Sequence, residues 1–68
     1  MAMFPKPKTY TEEEIERLIW FISENNNAEN VSYIGQTNFY VKFQAVRDSQ
    51  EVLFNFDKID GLVIEETE

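Results

Sequence analysis

Carboxylates are the side chains with the greatest capacity for chemistry here: thirteen Asp and Glu stand against six Lys and Arg, for a formal net charge of −7 over 68 residues. The densest group is Glu12, Glu13, Glu14 and Glu16. Two carboxylates can share acid and base roles, but that work needs them held in different environments within one pocket. Three of these four, Glu12 to Glu14, directly follow Thr11, where a helix start has its own use for acid: negative charge in the first turn offsets the helix dipole by about 0.3–1 kcal/mol each. The structural role outweighs the catalytic one.

Other chemistries are removed by composition. There is no histidine and no cysteine, which takes away Ser-His and Cys-His nucleophiles, disulfides and the usual zinc sites. Aligning Gly61 with the glycine of a calcium-binding loop puts Phe56 and Lys58 where acidic or amide ligands belong, so that loop is rejected. The run Tyr40-Val41-Lys42-Phe43 matches the tail of the aromatic strand motif of RNA-binding sheets. It lacks the preceding basic-glycine pair, the chain shows no second helix, and the acidic balance repels phosphate, so a core strand is the better reading. The expectation is a noncatalytic chain with no cofactor, no metal and no direct nucleic-acid partner.

The content of 43% hydrophobic and 15% aromatic residues exceeds that of acidic disordered chains, so a core is expected. The length allows one small domain, which at this size hides only roughly 60% of its unfolded surface. No apolar run approaches the roughly 20 residues of a membrane span, and no apolar leader is visible, so a cytoplasmic location without a membrane partner is expected. Met1-Ala2 reads as an addition ahead of Met3. Residues 1–10 form an arm of charge +2, 11–65 the domain, and 66–68 an acidic tail.

The elements that position these residues begin with a helix after Thr11. Thr11 and Glu14 fit a capping box, and Tyr10 and Ile15 a hydrophobic staple. Ile15, Leu18, Ile19 and Ile22 recur at helical spacing, with Phe21 on the flank, and the asparagines at 25–27 end the helix near residues 24–26. Beyond Asn30 the pattern has period two. Phe39, Val41, Phe43 and Ala45 alternate with Tyr40, Lys42, Gln44 and Val46; Val52, Phe54 and Phe56 alternate with Leu53 and Asn55. A turn tipped by Asp48-Ser49 pairs Ala45 with Val52, Phe43 with Phe54 and Val41 with Phe56 on one face. An earlier strand, Val31 to Ile34, joins through Gly35-Gln36-Thr37-Asn38 with its register open, and a last strand runs from Leu62 to Glu65. The fold expected is α+β: a single N-terminal helix packed on a four-stranded antiparallel meander. The helix covers the face of Phe39, Val41, Phe43, Val52, Phe54 and Phe56, leaving Tyr33, Tyr40, Lys42, Gln44, Val46 and Leu53 on the other.

The helical wheel sets Trp20 opposite the apolar stripe, among Glu13, Glu16 and Glu24. Two covers for that indole are open: the arm Phe4-Pro5-Lys6-Pro7-Lys8 folded back on it, or a partner. Carboxylates on a small rigid fold can imitate nucleic-acid phosphates and fill a basic cleft of another protein, with Trp or Tyr adding contact area. In composition the chain resembles small inhibitors of phages and mobile elements. The leading expectation is therefore an acidic protein-binding module, an inhibitor engaging a basic surface of a nucleic-acid enzyme, with Glu13, Glu16, Trp20, Glu24, Tyr33 and Tyr40 as partner-binding residues. The alternative is a structural or assembly protein that forms a homodimer through its sheet edge or a face shared by Tyr33 and Tyr40.

Overall fold

The computed structural model of the protein describes residues 8–66. One helix, α1 (Glu12–Asn26), is followed by four strands, β1 (Glu29–Gln36), β2 (Tyr40–Arg47), β3 (Gln50–Asp57) and β4 (Val63–Glu66). Each strand pairs antiparallel with the next, in the order β1-β2-β3-β4, so the chain forms the expected helix on a four-stranded meander. Residues 1–7, and with them the reading of Met1-Ala2, lie outside the described residues, as do Thr67 and Glu68. Glu66, assigned to the tail by sequence, is the last residue of β4.

Helix α1 starts where its capping chemistry is placed. The Thr11 hydroxyl accepts from the Glu14 N–H at 3.3 Å, and the Glu14 carboxylate accepts from the Thr11 N–H at 3.1 Å, closing the capping box. Asn27 ends the helix in the left-handed conformation, φ 53°. The last turn carries no basic residue of its own; Arg47 of β2 supplies one, donating to the Asn26 carbonyl at 3.4 Å. The same guanidinium lies 6.0 Å from the Phe54 ring centroid and pairs with Glu65, so it ties α1, β2, β3 and β4 together at one end of the sheet.

The β2–β3 hairpin has the register read from the sequence: Arg47 faces Gln50, Ala45 faces Val52, Phe43 faces Phe54 and Val41 faces Phe56. Asp48 and Ser49 both adopt positive φ, 54° and 64°, as a two-residue hairpin turn of matching twist requires. The core comprises Ile15, Ile22, Ala28, Val41, Phe43, Ala45 and Phe54, with Tyr10, Leu18, Ile19, Val31, Val52, Phe56 and Val63 packed around it. Leu18 and Ile19 are half-buried. The short link Asn27-Ala28 brings the chain from the helix straight into β1, which is the strand α1 approaches most closely.

Two placements differ from the sequence reading. Phe39 was expected beneath the helix, but it precedes β2 in the turn and is 55% exposed. Tyr33 was expected beside Tyr40, but β1 contains two register shifts, one between Glu29 and Ser32 and one between Tyr33 and Gly35, each inserting an extra residue opposite β2. The second, at Ile34, puts Tyr33 on the helix side: Tyr33 is paired with Phe43, and their rings meet edge-on at 6.2 Å. Gly35, at φ 154°, supplies backbone freedom at that bulge.

Candidate protein-binding surface

The capping box fixes where the helix begins, and the core contacts of Ile15 and Ile22 fix how it is rotated. Glu13, Glu16, Trp20 and Glu24 consequently share the outward face, all of them exposed. Trp20 is 66% exposed, and Phe21 beside it is exposed as well. Glu13 is partly neutralised by a 2.9 Å contact with Arg17 one turn on; among the described residues Glu16 and Glu24 have no ion-pair partner. Glu16 and Glu24, one turn to either side of Trp20, keep the face around the indole net acidic, while Arg17, three residues before Trp20, is paired with Glu13 on its flank.

Glu14, from the same acidic run, has a different environment. It binds the Lys8 ammonium as well as the Thr11 cap, and the hydrogen bond from Lys8, followed by that from the Thr11 backbone, holds its carboxyl down to about 2. The same contact raises the Lys8 ammonium above its ordinary value. A carboxyl held this far down is committed to the charged form, the opposite of what a general acid needs.

Lys8 is the one member of the Phe4–Lys8 arm within the described residues. It reaches Glu14 and lies 5.0 Å from the Tyr10 ring centroid, which leaves Trp20 without it. The rest of the proposed cover, residues 4–7, lies outside the described residues.

The other two site residues are not brought to the helix face or to each other. Tyr33 lies on the helix side of the sheet, and its hydroxyl accepts from the Gln36 amide at 3.2 Å. Tyr40 is half-buried and alternates with Val41, so it lies on the uncovered side. The surface on which the Tyr33/Tyr40 homodimer rested is therefore two separate places, because Ile34 interrupts the alternation of β1.

The sequence reading did not single out an apolar stripe on the uncovered side. Leu62 and Ile64 are 61% and 46% exposed, and Leu53 is 38% exposed. Ile64 pairs with Asn55 and Leu53 with Glu66, which sets Ile64 and Leu53 diagonally on one face. The signal available in the sequence was the alternation of Leu62 and Ile64 around Val63. Among the described residues no group of three or more acidic side chains is gathered closely enough to hold a metal ion, and no helix is long and apolar enough to cross a membrane. No known protein family matches the chain, and neither a curated protein nor a solved structure matches it.

Proposed function

We propose that the chain is a small, acidic, noncatalytic protein-binding module that presents the outward face of α1 to a basic surface of another protein. The observation that supports this reading is Trp20: a large indole left 66% exposed on a well-capped helix, with Glu16 and Glu24 one turn to either side and the Glu13–Arg17 pair on its flank. Tryptophan contributes heavily at the centre of interfaces, and a rim of one charge steers and selects a partner of the other. A phosphate-binding cleft of a nucleic-acid enzyme has the matching chemistry, and filling it makes the module an inhibitor of the phosphate-mimic kind. The cytoplasm, and a phage or other mobile element as the source, suit such an inhibitor.

The test is capture of partners from source-cell lysate at low and high salt, with the wild-type chain and a Glu13→Lys/Glu16→Lys variant as paired baits. A basic protein retained by the wild type at low salt, released at high salt and missed by the variant supports the reading. Equal retention by both baits removes it.

A further inference from the structure

Among the described residues the sheet ends in two edges of different quality. β1 is broken by two extra residues and by the left-handed Asn30, φ 53°, which prevent a straight strand from pairing along it. β4 pairs with β3 without a shift from Glu66 to Val63. The Asp57 N–H donates to the Leu62 carbonyl at 2.8 Å. Antiparallel bonding alternates from that pair, so the backbone groups of Ile64 and Glu66 point toward β3 and those of Val63 and Glu65 point out from the edge. Beside this edge, on the uncovered side, lie Leu62, Ile64 and Leu53.

We infer that the outer edge of β4 accepts an extended strand from a basic partner protein, with Val63 and Glu65 pairing its backbone and Leu62, Ile64 and Leu53 taking its apolar side chains. The charge pattern selects this occupant. Glu66 ends the edge strand beside Glu65, which is already paired with Arg47, Glu51 flanks Leu53, and Asp57 and Asp60 outweigh Lys58 in the turn before Leu62, so the surface is net acidic and lysine or arginine alternating with apolar residues is complementary. A second copy in the antiparallel register that pairs Val63 with Glu65 sets Ile64 against Ile64 and Leu62 against Glu66 and forms no ion pair, so the acidic edge favours a basic strand over a second copy. The inference rests on the proposed function only for the basic character of the partner, since the surface lies away from Trp20.

The test is amide hydrogen exchange followed by NMR on the full chain, with a capped peptide of about eight residues alternating lysine and valine as the probe, and the glutamate–valine peptide as its control. At roughly nine-tenths saturation with the lysine peptide, exchange at Val63 and Glu65 should slow about tenfold, with no change from the control peptide. A Leu62→Lys/Ile64→Lys variant, altered only at exposed positions, should lose the protection while keeping the wild-type spectrum elsewhere. Glu13→Lys/Glu16→Lys should keep it. No protection at Val63 and Glu65 overturns the inference, and perturbation confined to residues around Trp20 overturns it while leaving the helix reading intact. Protection that rises with protein concentration and no peptide assigns the edge to a second copy, and so also overturns it.

Discussion

The Gln36 side chain pairs with the backbone of Tyr10 in both directions: its amide oxygen accepts from the Tyr10 N–H at 2.9 Å, and its amide nitrogen donates to the Tyr10 carbonyl at 3.2 Å. The last residue of β1 thereby holds the chain at the entry to α1. Lys58 joins the arrangement, donating to Gln36 at 2.9 Å and to the Lys8 carbonyl at 2.9 Å while lying 5.6 Å from the Tyr10 ring centroid. Gln36→Ala strands half-buried polar groups, and should lower stability by about 1–3 kcal/mol. Urea denaturation should show a lower midpoint at an unchanged slope.

The acid side of the stability profile should carry the signature of Glu14. Its folded value, about 2, is depressed below the ordinary 4.5 by Lys8 and Thr11. A depressed carboxyl contributes stability that is present above the ordinary value and is lost as pH falls through the folded one, so the loss should run from about pH 4.5 down to about 2. Glu14→Gln retains an acceptor for the capping box but cannot titrate, and its thermal midpoint should be flatter across that window.

The hairpin turn is open to improvement. Ser49 holds φ 64°, a conformation that disfavours residues with a Cβ. Ser49→Gly next to Asp48 gives a preferred two-residue turn, and should raise stability by about 0.5–1 kcal/mol, read as a higher denaturation midpoint with the same slope.

Burial separates two neighbours on α1. Ile22 is fully enclosed, and Ile22→Ala should cost about 2–5 kcal/mol, a large share of a small domain's stability. Trp20→Ala should change stability by no more than about 0.5 kcal/mol, because its indole faces outward. Thermal denaturation of both variants checks the contrast; comparable losses would mean that Trp20 is packed.

The fold was legible wherever local patterns and turn chemistry agreed. Thr11 and Glu14 marked the helix start, and the alternation of Val41, Phe43 and Ala45 against Val52, Phe54 and Phe56, closed by Asp48-Ser49, fixed the hairpin register. The outward position of Glu13, Glu16, Trp20 and Glu24 followed from helical geometry alone. Tyr33 was misplaced because the extra residue at Ile34 breaks the alternation between Tyr33 and the residues that follow it; the local signal was Gly35, read as part of the turn although it lies inside β1. The contacts of Gln36 with Tyr10 and of Arg47 with Glu65 join residues far apart in sequence, so no spacing rule reveals them.

Binding of a basic protein to the outward face of α1 is measured by calorimetric titration of a captured partner across a salt series, with circular dichroism confirming that each variant is folded. Glu13→Lys/Glu16→Lys should weaken binding several-fold and flatten its salt dependence, because reversal removes attraction and adds repulsion. Trp20→Ala should weaken binding while leaving the salt slope unchanged, since the indole contributes contact area and no net charge. Affinity and salt slope both unmoved by the charge reversal would mean that the acidic face of α1 is solvated and binds no basic protein.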